Sequence, residues 1–235
     1  PIAVLVTARD IINLWVARMI FSGLEFLGRE PFAKTFIHQT ILTKEGKRMS
    51  KSLGTGLDPL NLIENFGADA TRFGIIWQAM AGQDIHWDET AVLAGKKFCN
   101  KIWNASRFVL ANKPSRINAD FSGLMRIKNL TTADKKILKQ LKTTQKSVSG
   151  DIENFRFGPA LRKIYDFFWH QLCDIYIEKS KSQITNPKTQ KTTKMILLYI
   201  LSESLKILHP FMPFITEEIW QKIPLQSRRK VGTPT

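Results

Sequence analysis

Two different hydrophobic patterns follow one another along this chain. Near its beginning the apolar residues stand in short runs, continuous at 2–7 and interrupted by polar residues at 35–42, whereas beyond residue 89 they recur every three or four positions. Unbroken apolar runs are typical of strands buried on both faces of a parallel sheet, and the longer spacing is typical of amphipathic helices. The pattern therefore predicts an α/β part followed by an all-α part.

The α/β part has the order strand, helix, strand. The first run is followed by a helical pattern that begins at Asp10 and ends at Gly28, and the second run comes next. This order predicts one unit of a Rossmann-like parallel sheet, with a right-handed crossover and with ligands bound beyond the carboxyl ends of the strands. Those ends are residues 7–10 and 38–40, so their polar side chains should converge on one rim.

Two shorter helices and a hinge complete the first part. Asp58 and Pro59 are typical of a helix start and Gly67 of a helix end, and residues 68–80 again have helical spacing. Residues 82–88 are rich in turn formers and are predicted to be a hinge. We therefore expect a first domain over residues 1–88 and a second over residues 89–235.

The second domain is predicted to be a helical bundle, because its apolar residues form stripes along each helix. Its widest stripe runs from Leu161 to Ile175 and is predicted to be core, while residues 112–122 and 183–191 have the composition of loops. The predicted helices span residues 89–111, 132–152, 158–182, 192–208 and 214–223.

A basic loop directly follows the second predicted strand. Residues 46–56 read GKRMSKSLGTG and combine three cationic side chains, two serine hydroxyls and three glycines. Lysine, arginine, hydroxyls and bare backbone amides are the groups that hold a polyphosphate at the end of a strand. The alternative at this point is a solvated surface turn, since basic turns are common.

The net charge of +15 is distributed unevenly. Residues 1–90 carry 9 basic and 10 acidic side chains, and the rest of the chain carries 26 basic and 10 acidic side chains. An excess of positive charge confined to one part indicates a polyanionic partner, most simply nucleic acid. The alternative is a basic surface that serves only solubility.

Several classes of protein are disfavoured by the composition. The two cysteines, Cys99 and Cys173, lie far apart, so neither a disulfide framework nor a cysteine metal site is expected, and the four histidines form no ligand cluster. No apolar run has the length of a membrane span. We expect a cytoplasmic, monomeric protein without a bound metal, and, since the chain begins at Pro1, a piece of a longer one.

The basic loop also carries a resemblance to a known family. Its residues 48–52, RMSKS, resemble the KMSKS signature of class I aminoacyl-tRNA synthetases, with arginine for the first lysine. Further segments resemble the valyl branch of that family, with isoleucyl and leucyl enzymes as alternatives. These segments are TARDI (7–11), WVARMI (15–20), GADATRF (67–73), DIHWDE (84–89), FCNKIWNASRF (98–108), WHQLCDIY (169–176) and HPFMPFITEEIW (209–220).

The resemblance implies a fold and a reaction. The first domain would be the second half of a Rossmann-like catalytic domain, and the second an anticodon-binding domain. Such an enzyme joins valine to ATP, supplied with Mg²⁺, as valyl-adenylate and then transfers the valyl group to tRNA(Val). The family's other signature, HIGH, does not occur in the printed sequence, so this chain alone should be inactive. A non-catalytic tRNA-binding module is the second hypothesis.

The resemblance also implies roles for single residues at the rim. Lys51 would stabilise the charge that develops on the departing pyrophosphate, assisted by Arg48, Ser50 and Ser52. The residues implied in binding ATP are Lys51, Asp10, His38 and Met49, and those implied in binding valine are Ile11 and Thr7.

The sequence departs from the family pattern at two further positions and offers candidates for RNA binding. Ala8 and Gln39 stand where the family has glycine, which allows a ligand to approach the backbone closely. On the first bundle helix, Lys96, Lys97, Lys101 and Arg107 are implied to face tRNA, the alternative being a solvated basic surface.

Overall fold

A computed structural model describes residues 2–50, 54–80, 82–114 and 130–223. The chain divides into two compact units, the first made of residues 1–57 and 78–88 and the second of residues 58–77 and 89–235. The described strands all belong to the first unit, whereas the second is helical. The predicted combination of a parallel α/β part with an all-α part is therefore confirmed. The boundary between the domains at residue 88 stays a prediction. In the structure, residues 58–77 pack with the helical unit.

The first unit is built from two small parallel sheets. One sheet pairs Ile2–Ala8 with Phe32–His38, and the other pairs Ile41–Leu42 with Ile85–His86. Gly28 ends the intervening helix in the left-handed conformation, with φ 63°, and its amide donates to carbonyls of the last turn. The elements are β1 (Ile2–Ala8), a 3₁₀ turn (Arg9–Ile11), a π-helical turn (Ile12–Val16), α1 (Ala17–Leu27), β2 (Phe32–His38), β3 (Ile41–Leu42) and β4 (Ile85–His86).

The prediction of one continuous strand over residues 35–42 is wrong. The chain leaves the first sheet after His38 and joins the second at Ile41. Two hydrogen bonds hold the step between them: the Gln39 side chain donates to the carbonyl of Met80, and the Thr40 amide donates to Asp84. The polar residues 38–40 lie at this break, whose place depends on partners some forty residues away.

The prediction that β1 is buried on both faces is also wrong. Val6 is 57% exposed, and the apolar face of α1 is exposed as well. Within the described part of the chain no element covers these side chains. Other large exposed apolar residues of this unit are Leu14, Trp15, Phe21, Leu24, Phe26 and Leu27.

The second unit is a bundle whose helices bury nearly all the large apolar side chains. Asp58 caps the first of them by accepting a hydrogen bond from the Leu60 amide, as predicted. A capping box between Thr131 and Asp134 begins another. The helices are α2 (Pro59–Phe66), α3 (Ala68–Gln78), α4 (Thr90–Ala111), α5 (Thr132–Glu153), α6 (Phe157–Asp166), α7 (Glu178–Thr185), α8 (Gln190–Leu208) and α9 (Pro213–Trp220).

A π-helical segment, Phe167–Ile177, joins α6 to α7 without a break. The predicted core stripe is confirmed at Leu161 and Leu172 but is wrong at Ile175, which is 40% exposed. In this segment each turn takes up more residues than in an α-helix, so the buried face shifts from the predicted register. Tyr176 and Ile177 are buried instead of Ile175.

Both cysteines are free thiols within this bundle. Burial raises the pKa of Cys99 to about 12, and it raises the pKa of Cys173 to about 12 as well. Neither thiol is therefore ionised near neutral pH. None of the helices described is both long and apolar enough to span a bilayer.

Candidate functional site

The carboxyl ends of β1 and β2 lie side by side. Their parallel register pairs Thr7 with Ile37 and Ala8 with His38, so the polar residues that follow the two strands share one edge. We call the edge formed by residues 7–10, 38–40, 48 and 84 the rim. Asp10 lies in the 3₁₀ turn after β1, and His38 is the last residue of β2.

Asp84 fastens three segments of the rim together. Both of its carboxylate oxygens accept from Nη2 of Arg9, at 2.8 and 2.7 Å, and one also accepts from the Thr40 amide at 3.0 Å. The hydrogen bond from Thr40 and the neighbouring Arg9 guanidinium lower the pKa of Asp84 below its usual value. One carboxylate thus fixes the end of β1, the step from β2 to β3 and the start of β4.

Replacing Asp84 with asparagine should loosen the rim without unfolding the helical unit. The amide can no longer accept from Arg9 with both atoms, and it loses the charge that strengthens the bond from Thr40. We expect the Thr40 amide to exchange with solvent about tenfold faster, which hydrogen exchange followed by NMR would measure. Because the pKa of Asp84 is lowered, acid should have the same effect in the wild type as pH falls below 3.8. Unchanged protection of Thr40 in the variant would contradict this arrangement.

The basic loop begins with a tight turn that brings its first cationic residues back to the strand. The Thr43 amide donates to the Lys47 carbonyl at 2.8 Å, and the backbone of Arg48 pairs with that of Leu42 in an antiparallel β-bridge. Gly46 has φ 80°, and a Cβ at that position would lie 3.0 Å from the ring of His86. Glycine is therefore required there by both conformation and space.

Arg48 reaches across the rim to Asp10. Its Nη2 donates to Oδ1 of Asp10 at 2.9 Å, and both side chains are more than half exposed. An exposed pair of this kind stabilises by only ~0–1 kcal/mol, so a charged ligand can displace it at little expense. The structure thereby brings together two residues to which the sequence assigned nucleotide-binding roles.

The base of the loop is closed by a second set of hydrogen bonds. The Ser50 amide donates to Oγ1 of Thr55 at 3.0 Å, and the Thr55 amide donates to the Ser50 carbonyl at 3.2 Å. Met49 is partly buried beside this closure. Lys51 and Ser52, which carry the predicted catalytic roles, lie outside the described residues.

The other predicted rim residues have contrasting environments. Thr7 is only 3% exposed, whereas Ile11 is 37% exposed and presents an apolar surface. Nδ1 of His38 lies 2.9 Å from the carbonyl of Gln39, and the Gln39 side chain bonds to Met80. The roles predicted for Thr7, Ile11 and His38 remain predictions.

The cations predicted on α4 divide into two kinds. Lys96 donates to the Asn65 carbonyl at 3.0 Å, and Lys101 donates to Asp174 at 2.8 Å. The hydrogen bond from Lys101 also lowers the pKa of Asp174. Lys97 and Arg107 are exposed. Contacts inside the bundle therefore occupy two of the four candidates, and the RNA-binding role of the set stays a prediction.

Sequence reasoning missed a row of lysines on α5. Lys135, Lys139, Lys142 and Lys146 stand four, three and four residues apart, which places them on one face of the helix. The spacing was readable in the sequence.

Two of the segments that carry the resemblance prove to have a structural role. Asp69 accepts from the amides of Phe214 and Ile215, and Arg72 donates to the carbonyls of Pro210 and Phe211. The GADATRF segment is thus bound directly to the HPFMPFITEEIW segment in the second unit.

Comparison with known families accounts for both parts of the chain. Residues 1–88 match the tRNA synthetases class I (I, L, M and V), and residues 134–234 match the anticodon-binding domain of tRNA ligases. The chain belongs to the class I aminoacyl-tRNA synthetases. The predicted family is confirmed by these two matches.

Relatives of this family identify the valyl branch. The chain is 47% identical over 225 residues to valine–tRNA ligase of Thermotoga maritima, which covers 96% of this chain and 25% of that protein. It is 46% identical over 235 residues to valine–tRNA ligase of Enterococcus faecalis, covering 98% of this chain and 26% of that protein. The chain thus spans about a quarter of the length of the curated synthetases that it matches.

Solved structures of other class I synthetases share the fold. LeuRS of Agrobacterium radiobacter, in a ternary complex with tRNA and LeuAMS, has a TM-score of 0.71 at 21% identity and covers 96% of this chain and 27% of that one. Methionyl-tRNA synthetase of Mycobacterium tuberculosis, in complex with methionyl-adenylate, has a TM-score of 0.71 at 19% identity. The match covers 94% of this chain and 44% of that one. At these identities the likeness concerns the fold alone.

Proposed function

We propose that this chain is the part of a valine–tRNA ligase that binds the phosphates of ATP and the body of its tRNA. The observation that carries the proposal is the contact between Arg48 and Asp10 at the carboxyl edge of the parallel strands. At that edge a carboxylate meets a guanidinium. The carboxylate can accept from ribose hydroxyls, and the guanidinium can pair with phosphate oxygens. The identity of 47% to a valine–tRNA ligase supports valine as the amino acid.

The rim would act by exchanging one set of partners for another. ATP, entering with its Mg²⁺, would offer phosphates to Arg48 and ribose hydroxyls to Asp10, and the pair between the two side chains would open. Ser50, at the base of the loop, would offer its hydroxyl to the phosphates. Lys51 would then meet the oxygens of the departing pyrophosphate, where negative charge increases in the transition state.

The second unit would hold tRNA. Its match to an anticodon-binding domain and the excess of basic residues beyond residue 90 both support this role. Transfer of the valyl group requires the 3′ end of that tRNA at the rim, so one chain would hold both substrates.

The experiment that tests this proposal measures binding and activation separately on the isolated chain. We expect it to bind a tRNA(Val) transcript with an affinity that falls steeply as salt is raised, because phosphate contacts release counterions. We expect negligible valine-dependent exchange of pyrophosphate into ATP, since HIGH is lacking in the printed sequence. A salt-independent affinity would contradict the tRNA-binding role, and rapid exchange would contradict the assignment of the rim as half a site.

A non-catalytic tRNA-binding module remains the second candidate. It is favoured by the replacement of two glycines at the rim, where Ala8 and Gln39 stand. The Gln39 side chain bonds to the Met80 carbonyl and so takes up a place at the step between the sheets. Under this alternative, the full-length protein would not activate valine, and Lys51→Ala would leave its affinity for tRNA intact.

A further inference from the structure

The lysine row on α5 carries charge that the protein itself does not neutralise. Lys135, Lys139, Lys142 and Lys146 are exposed, and no ion pair joins any of them to a residue in the described part of the chain. Two of the three carboxylates of the same helix are engaged elsewhere: Asp134 accepts from Tyr176, and Asp151 is paired across the groove described next. The third, Glu153, is exposed at the end of the helix. A row of uncompensated positive charge on a rigid helix attracts an extended polyanion.

A groove runs along this helix on the side that faces α6. Lys139, Thr143 and Ser147 line both of two adjoining depressions, which have volumes of about 480 and 660 Å³. The first depression extends to Lys163 and the second to Arg156. Because the two share three lining residues, they adjoin along α5, and we call them together the α5–α6 groove.

The far wall of the groove carries two cations, which are held in place, and also the carboxylate of Asp166. Asp151 is 1% exposed and pairs with Lys163 at 2.5 Å and with Arg156 at 2.7 Å. The buried carboxylate fixes both cationic side chains. Together with Asp166 it balances their charge, so the positive excess in the groove comes from Lys139, Lys142 and Lys146. Ser147 accepts from Lys163 at 2.7 Å, so its own hydroxyl proton remains free to donate to an anion in the groove.

A glycine leaves the floor of the groove without a side chain, and the fold gives no reason for a glycine there. Gly150 lies inside α5 and lines the second depression, and a Cβ built on it would meet no atom within 4 Å. Glycine weakens the interior of a helix, and here neither crowding nor a positive φ demands it. Its absent side chain keeps the groove open to something that approaches closely.

We propose that the α5–α6 groove seats the phosphate backbone of tRNA, with Lys139, Lys142 and Lys146 on one side and Lys163 and Arg156 on the other. The inference rests on the proposed function, and it names the surface of the second unit that meets the RNA. The row from Lys135 to Lys146 extends along about 16 Å of helix, a length that suits a chain of phosphates rather than one phosphate group. Lysine and hydroxyl contacts of this kind position a nucleic acid without reading its bases.

The test compares two variants of the 235-residue chain that change the same number of charges. Lys142→Glu with Lys146→Glu alters the groove, and Lys188→Glu with Lys191→Glu alters exposed lysines at the far end of α5. Gln183 bonds to both Thr131 and Thr193, so α8 begins beside the start of α5, about 16 Å along the helix from Lys142. Affinity for a tRNA(Val) transcript is measured at several KCl concentrations, and circular dichroism and thermal unfolding establish that each variant is folded.

We expect the groove variant to bind at least tenfold more weakly than the control, with a salt dependence of log K on log salt that is less steep by about 2. Replacing the same two lysines with arginine should preserve the affinity. Equal losses of affinity in the groove variant and the control, or no loss in either, would overturn the proposed role of the groove. Such a result would leave tRNA binding by the wild type intact. If the wild type itself fails to bind, the proposed function is overturned instead.

A charge-neutral variant separates contact in the groove from attraction at a distance. Gly150→Met fills the floor and should leave the fold as stable as before or more stable, because methionine favours a helix. We expect its affinity for the same transcript to fall severalfold. Undiminished affinity would show that the backbone does not enter the groove.

Discussion

Replacing Asp69 with alanine is expected to destabilise the helical unit by about 3 kcal/mol, which corresponds to a fall in Tm of about 6–12 °C. Asp69 is 6% exposed, and its two oxygens accept from the amides of Phe214 and Ile215 at 3.3 and 2.6 Å. These amides belong to the first turn of α9, which has no capping side chain of its own. The variant would leave both without this partner at a partly buried place, next to the positive end of the helix.

A capping aspartate in a different setting provides the control for this prediction. Asp58 begins α2 through one bond to the Leu60 amide, at an exposed position. Its replacement by alanine should destabilise by only about 1 kcal/mol. Thermal or urea unfolding of both variants measures the difference. If Asp69→Ala destabilises no more than Asp58→Ala, the contact between α3 and α9 does not hold the unit together.

The second large effect is expected at Lys51. It is best measured in a chimaera in which this chain replaces the corresponding quarter of the Thermotoga maritima valine–tRNA ligase. Removing a positive charge that acts mainly in the transition state should lower the rate of valine activation by roughly 10²–10³-fold, about 3–4 kcal/mol. The affinity for tRNA should hardly change, because the loop belongs to the rim. Pyrophosphate exchange and RNA binding measure the two quantities.

Lys47 is the matched control, because it is an exposed lysine of the same loop that lies before the RMSKS segment. Lys47→Ala should change the exchange rate by no more than severalfold. Similar losses in the two variants would indicate that the loop supplies only general positive charge. The particular role of Lys51 would then be contradicted.

The sequence predicts the local structure of this chain well, because local signals decide it. Asp58 and Gly67 bound α2 as expected, Gly28 ends α1, and the apolar periods separate a parallel α/β part from a bundle. The convergence of Asp10 with the basic loop also follows from a local rule, since parallel strands place their carboxyl ends at one edge.

Features that depend on distant partners could not be predicted in this way. The chain breaks between β2 and β3 because Thr40 bonds to Asp84, and Asp69 caps a helix 145 residues away. The π-helical segment shifts the buried face from Ile175 to Tyr176, which no α-helical period anticipates. Each of these features requires knowledge of which segments meet in space.

The central claim is that the rim and the helical unit of this chain are working parts of a valine–tRNA ligase. The most direct test is the rate at which the same chimaera, with Lys51 unchanged, supports valine-dependent pyrophosphate exchange and charges tRNA(Val). The account predicts that both activities are retained and that both depend on ATP. A chimaera that folds and binds tRNA(Val), yet carries out neither reaction while the parent enzyme does, would contradict it.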